Sequence, residues 1–352
     1  MKRSYLSICL LTILALTGCK EEVEEVVQSE KPAEAEVEVE QQEEIKEELK
    51  YAFPLTGVKT AEESLQRPFA VMINNHPDAR PQAGINAADI VYELLVEGDA
   101  TRYLAIFQST LPDNIGPVRS ARDYFIELAK GYDAIYVAHG YSPEAYEMLN
   151  NKVVDSINGM QFDGTYFKRS TTRKAPHNSY ITSDNVELAA EKLKYSFINE
   201  KKFTLSFYQS EENVKLGNVA NEVRIDYFGK SSSYSSIYTY DEKENVYLKS
   251  SPQAKTVDDL TNEQVAISNV LFLEAAHQVI DEEGRREIAI EKGGNAYLFQ
   301  QGVMREVRWK NDNGLIYAIE SDGTKVPLVA GKTWVHFVPS SPGLAQLVNY
   351  SE

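Results

Sequence analysis

Arg67-Pro68-Phe69-Ala70-Val71-Met72-Ile73-Asn74-Asn75-His76-Pro77 is an apolar run that stops abruptly in a polar, proline-closed turn. A short continuous apolar run bounded by turn signals reads as a buried strand. Loops after such strands are favoured ligand positions in α/β sheets, which makes Asn74 and Asn75 candidate site residues. Working outward, Tyr103-Leu104-Ala105-Ile106-Phe107 repeats the pattern. Ala121 to Tyr132 has helical periodicity, and Ala134 to Ala138 returns as strand. Pro143–Leu149 and Asn185–Leu193 read as helices, the second after Ser183 and Asp184 as candidate N-caps.

From about Val223 the texture changes to strand. Tyr238–Tyr240 and Val246–Leu248 flank a polar turn, and Val307–Lys310, Leu315–Glu320 and Thr333–Val338 are separated by Asn313-Gly314, Asp322-Gly323 and Gly331. Thr261-Asn262-Glu263-Gln264 has capping-box form and marks the expected start of one short helix. The fold class read from this order is α+β: an N-terminal mixed α/β domain over 51–217, then a β-rich, mostly antiparallel domain over 218–345. Gly217-Asn218 is the expected cut, because the length beyond Tyr51 exceeds the usual single domain.

The N-terminus has another character. Met1-Lys2-Arg3-Ser4 is followed by an almost wholly apolar stretch to Leu16 and then by Thr17-Gly18-Cys19. A positive start, an apolar core of this length and small residues at its end form a secretory signal, too short for the ~20 residues that span a bilayer. Leu16-Thr17-Gly18-Cys19 fits a lipobox, so 1–18 is expected to be removed and Cys19 to be acylated. The sequence has 2 Cys. Cys9 lies in the removed segment and Cys19 carries lipid, leaving no thiol for disulfides or metal. The expected place is the extracytoplasmic face of the cell membrane. Residues 19–50 carry thirteen Glu against four Lys, a local −9 of the chain's −17. Such a segment buries too little apolar surface to offset its ordering entropy and reads as a disordered acidic tether. Its coil dimension is ~30 Å. Partial helix around Gln41–Lys50 is the rival reading, and either makes a spacer.

The acidic body does not suit nucleic acid, whose affinity comes from Lys and Arg on phosphates. No P-loop, dinucleotide fingerprint, H-E-x-x-H, G-x-S-x-G or S-x-x-K motif occurs, and the 5 His are scattered. No cofactor or metal is expected.

The most informative constellation is Gly116-Pro117-Val118-Arg119-Ser120-Ala121-Arg122-Asp123. Ser120 reads as an N-cap with Asp123 completing a capping-box-like pair, which places Arg119 and Arg122 at the positive end of a helix dipole. Something negative must sit there. It is either a ligand carboxylate or phosphate, or an internal Glu93 or Glu97, and structural ion-pair networks favour the internal partner. Glu93 and Glu97 would stand ~13 Å apart along one strand, too far for concerted acid–base work on a glycan. They are better partners for Arg80, Arg102, Arg119 or Arg122. His177 and Asn178 lie in a loop after Lys168, Arg169, Arg173 and Lys174, a basic stretch able to receive an acidic partner or simply to be solvated. His139 ends a strand with Ser142 and Ser120 as conceivable nucleophiles.

The ordered set Arg67–Asn75, Ala79–Gly84, Ala88–Glu93, Ile115–Arg122 and Ala175–Asn178, with Gly331-Lys332-Thr333-Trp334 near the end, resembles the YerB family of Gram-positive lipoproteins. The resemblance runs from about Pro54 to Pro339. It implies two successive family-typical domains and a cell-envelope location, and it brings no catalytic residues with it. The expected function is therefore that of an envelope lipoprotein, held to the membrane at Cys19 and binding a protein partner or an anionic wall ligand without catalysis. The alternative is a wall-active hydrolase or transferase using His139, His177 and the Arg cluster.

Overall fold

Phe69–Asn74 (β1) is buried at every residue, and so are Ile90–Leu95 (β2) and Thr101–Phe107 (β3). A strand buried along its whole length is covered on both faces, which is why these segments are dominated by apolar residues, with Asn74, Glu93, Thr101 and Arg102 the polar exceptions. The computed structural model describes residues 49–201, 205–210 and 217–352. The expected signal peptide, Cys19 and the tether up to residue 48 lie outside the described residues.

Asp123–Gly131 (α1), Ile135–Ala138 (β4), Pro143–Asn150 (α2), Ser156–Asn158 (β5), a hairpin of Phe167–Arg169 (β6) with Ser179–Ile181 (β7), and Ser183–Leu193 (α3) complete the first half. The second half holds Glu222–Ile225 (β8), Ser236–Asp241 (β9), Val246–Ser250 (β10), Asn269–Ala275 (β11), Gly294–Gln300 (β12), Val303–Asp312 (β13), Leu315–Ile319 (β14), Thr333–Pro339 (β15) and Val348–Ser351 (β16). The chain is thus mixed α/β first and mostly antiparallel β afterwards.

An 11-stranded sheet runs in the order Asn218–Val219, β13, β12, β11, β15, β2, β3, β1, β4, β5, with β14 added on β13. β15 lies parallel to both β11 and β2, so the sheet crosses the expected cut at Gly217-Asn218. β1, β4 and β5 are mutually parallel neighbours. A separate antiparallel sheet orders Ala266–Ile267, β10, β9, β8 and β16.

Successive strand residues point to opposite faces, so β1 feeds two cores. Ala70 and Met72 join Tyr124, Phe125 and Leu128 of α1 on one face. Phe69, Val71 and Ile73 join Val186 and Ala190 of α3, with Val223, Tyr238 and Tyr247 of the second sheet, on the other.

Three local expectations are corrected. α1 begins at Asp123 with Arg122 in the cap position and no side-chain cap. Ser120 instead gives its hydroxyl to the His139 carbonyl, 3.2 Å away, because Ala121 bridges to Tyr141 before the helix starts. The cap of α3 is Thr182, whose hydroxyl accepts from the Asn185 N–H at 3.1 Å, and Ser183 and Asp184 belong to its first turn. Thr261–Gln264 forms no helix. Asp258 takes the local N–H of Leu260 as well as those of Gly84 and Asn86, and Asn262 turns back with φ +58°.

Candidate functional site

β1, β4 and β5 run parallel and end at the same edge of the sheet, where Asn74, His139 and Gly159 close them. Arg102 opens β3 beside Asn74 in the antiparallel register, and Glu97 follows β2 at the same edge. The segment Gly116–Arg122 crosses these strand ends. Asn74 N–H donates to the Pro117 carbonyl, Arg119 N–H to Met72 and His139 N–H to Arg119. Ligands of open α/β sheets bind at such an edge.

Glu97 answers two of the arginines. Arg122 donates to its Oε1 from both Nε and a terminal nitrogen, and Arg102 stands 3.6 Å from Oε2. Burial raises the Glu97 carboxyl, but Arg122 and then Arg102 hold it below the usual carboxylate range. Arg102 also donates to the Ser120 carbonyl at 2.7 Å. Burial and the neighbouring Arg122 pull its guanidinium down to about 9, so it stays charged at neutral pH. Arg119 is different. Its Nε is buried with no hydrogen-bond partner, and among the described residues no carboxylate or carbonyl pairs with its guanidinium. Burial and Arg122 depress it as well, against a smaller opposing pull from Glu97. Three cations thus share one carboxylate. An unmet buried donor costs ~1–3 kcal/mol, more when charged.

His139 and His177 flank this cluster, and burial lowers both, with Arg119 a further depressing charge on each. Asn74 Oδ1 accepts from the His76 N–H at 3.0 Å, so its Nδ2 must be the atom 2.8 Å from His177 Nδ1. His177 therefore accepts at Nδ1 and carries its proton on Nε2. His76 stacks on His177 with ring centroids 4.4 Å apart and accepts the Asp78 N–H at its own Nδ1. His76, Asp78 and His177 bring one potential ligand atom each to within 4.8 Å of one another. With Nδ1 of each ring accepting, the ring protons sit on the Nε2 atoms, and the Asp78 carboxylate adds a negative charge beside them.

The sequence pairing of His139 with Ser120 or Ser142 is not what the fold makes. Ser142 caps α2 through the Ala145 N–H. The His139 ring meets Ser179 Oγ at 2.7 Å and Arg169 at 2.9 Å. A guanidinium can only donate, so Nε2 accepts and the ring proton sits on Nδ1, facing Ser179. In that tautomer His139 cannot take the Ser179 proton. Gly159 is required beside it, since a Cβ there would lie 2.2 Å from Nδ1. Asn178 accepts from Arg169 at 3.1 Å, and Arg169 forks onto Asp163, so part of the basic loop is internally paired.

The remaining candidates turn inward. Glu93 is 0% exposed. Its Oε1 takes the Thr101 hydroxyl at 2.8 Å and Asn75 Nδ2 at 3.3 Å; its Oε2 takes Trp334 Nε1 at 3.0 Å and faces Lys249 Nζ at 3.5 Å. Burial raises this carboxyl, and Lys249, Thr101 and Trp334 overcome it to hold it below its ordinary value. Lys249 is enclosed by the rings of Trp334, Tyr238 and Tyr103, with centroids 4.9, 5.3 and 6.0 Å away. His336, cross-strand from Glu93, is pushed down to about 3 by burial and is neutral. Arg80 packs over Tyr234 and donates to the Asn75 carbonyl and Oδ1. The expected partnership of Glu93 with an arginine is thus replaced by Lys249. No local pattern marked Lys249 or Ser179, and Trp334 and His336 stood out only as part of the strand run Thr333–Val338.

Residues 55–196 match the family model described as "Protein of unknown function (DUF3048) N-terminal domain", and 223–335 match the corresponding C-terminal domain. Over 291 residues the chain is 45% identical to "Putative lipoprotein YerB" of Bacillus subtilis (strain 168), spanning 82% of this chain and 87% of that protein. The crystal structure of YerB protein from Bacillus subtilis superposes with a TM-score of 0.79 at 43% identity, covering 86% of this chain and 100% of the other. Among the described residues no helix is long and apolar enough to cross a membrane.

Proposed function

The chain belongs to the DUF3048 family, that of the YerB lipoproteins, and on that premise we propose that it is a lipid-anchored, extracytoplasmic binding protein whose strand-end site holds an anionic group. The ligand is a carboxylate or phosphate carried by a wall-derived molecule or by a protein partner. Arg119 carries this reading: a half-buried guanidinium whose Nε is unmet and which makes no ion pair of its own, beside two more that already share Glu97, the one carboxylate near all three. An arriving anion would satisfy the unmet donor of Arg119. Asn74 positions His177 and the Ser120 carbonyl positions Arg102, while Asn178 holds Arg169. A wall hydrolase is the weaker reading, because the proton of His139 faces Ser179 rather than the reverse.

The test is calorimetric titration of the purified protein with inorganic phosphate and with a glutamate-rich peptide. Saturable binding that falls at least tenfold in Arg119→Ala is expected. The melting temperature of that variant should not fall and should rise slightly, since no internal bond is lost and an unmet buried donor is removed. Arg122→Ala should instead lose about 1–2 kcal/mol, because Glu97, partly exposed, is left with the more distant Arg102. Equal destabilisation by both substitutions, with no anion binding, would sink the proposal. The anchor is tested separately by intact mass: residue 19 should carry the acyl chains and Cys19→Ser should release the protein from membranes.

A further inference from the structure

Next to the anion site, beyond His139-Gly140, lies a cleft of about 290 Å³ whose lining includes Tyr141, Tyr146, Asn150, Ser156, Asn158 and Gln161. Its size is at the lower end for small-ligand pockets. Tyr141 and Tyr146 are 40% and 49% exposed, and their rings lie 4.9 Å apart at 40°. Single exposed aromatics are ordinary, but a contiguous pair offers an apolar platform. Around it stand amides. Asn158 is buried, and its Oδ1 accepts from the N–H groups of both Gly140 and Met160, at 3.2 and 3.0 Å. That pair of donors fixes the amide's orientation. Among the described residues its Nδ2 has no acceptor, and the side-chain polar groups of Asn150 and Gln161 are likewise unspent.

We propose that this cleft is a carbohydrate-binding site that stacks a sugar ring on Tyr141 and Tyr146 and reads its hydroxyls with Asn158, Asn150 and Gln161. A pyranose has an apolar C–H face and a rim of groups that both donate and accept, which is what an aromatic platform edged by amides complements. Two other occupants fit less well. β5 is an edge strand, but the Tyr195 hydroxyl bonds both the N–H and the carbonyl of Ser156, at 3.4 and 3.2 Å, which occupies the ladder positions an added peptide strand would need. An anion finds one charged group in the lining, Lys152. Apart from Lys152, the groups that meet the ligand are therefore uncharged, which suits a neutral ring.

The experiment uses the full chain and two neutral probes, the tetramer of N-acetylglucosamine and maltotetraose, followed by saturation-transfer NMR and calorimetry. At least one should bind saturably, with its ring C–H protons receiving saturation. Tyr146→Ala should weaken that binding tenfold or more at an unchanged melting temperature. Asn158→Asp, which keeps the oxygen and removes the donor, should do the same, whereas Arg119→Ala should leave neutral-glycan affinity intact. The site is refuted if neither probe binds saturably, or if Tyr146→Ala binds as tightly as the unaltered protein. Loss of glycan binding in Arg119→Ala would also overturn it, by merging it with the anion site.

Discussion

Glu93 and Arg119 show two opposite fates for a charge in this molecule. Glu93 has no exposure, yet its carboxylate oxygens are met by Thr101, Asn75, Trp334 and Lys249. Removing one member of a buried pair strands the other, so Glu93→Ala should cost about 3–5 kcal/mol in urea denaturation. Because the folded carboxyl lies below its ordinary 4.5, its stabilisation is complete above that pH and is lost as pH falls through the lower folded value. Melting followed from pH 6 to 2 should therefore drop in the native chain. In Glu93→Gln that component should vanish, and an identical acid response would refute the assignment. Arg119 has no such bonded partner, and its buried Nε is unmet. From the chain alone, Arg119 and Arg122 announced themselves by their position after Gly116-Pro117. Lys249 did not: Leu248-Lys249-Ser250 reads as any strand that presents a lysine to water, and only packing against Trp334 and Glu93 makes it a buried cation.

Helices and strands were largely legible because their periodicity is local. β1, β3, β13 and β15 contain the runs that pointed to them, β4 and β14 match theirs to within one residue, and α2 begins where Pro143 follows Ser142. Caps were less legible, since several Ser, Thr and Asp residues compete at each helix start and the incoming backbone decides among them. Thr182 wins at α3 because β7 ends at Ile181 and leaves it extended. Thr182→Ala should lower stability by about 1 kcal/mol, whereas Ser183→Ala should not act through the cap. Equal effects of both in thermal melts would contradict that geometry. The end of α1 shows a contact no pattern predicts. Gly131 lies against Gly314 in the β13–β14 turn, where a Cβ on Gly131 would come 2.2 Å from the Gly314 carbonyl carbon.

Across the whole molecule, β15 joins the two halves by pairing with β11 on one side and β2 on the other. The buried Glu93–Lys249 contact crosses the same boundary. Backbone ladders and a buried ion pair shared by both halves predict one cooperative unfolding transition, despite the two successive family matches. Far-ultraviolet circular dichroism and tryptophan fluorescence should give coincident urea curves, with Trp309 and Trp334 both buried reporters in the second half. Two resolved transitions would show that 51–217 and 218–345 are separable domains.

Apolar runs, helical spacing and turn residues determined by themselves the α-then-β order, and the ordered motifs determined kinship, because burial and turn chemistry are written in neighbouring residues. Which charges meet was decided only in three dimensions. Trp334 lies 241 positions from the carboxylate it serves, and Arg119 is left over because Arg102 and Arg122 reach Glu97 first. Periodicity says whether a side chain is covered, but a partner is chosen by the crossing of strands distant in sequence, and no local pattern records that crossing.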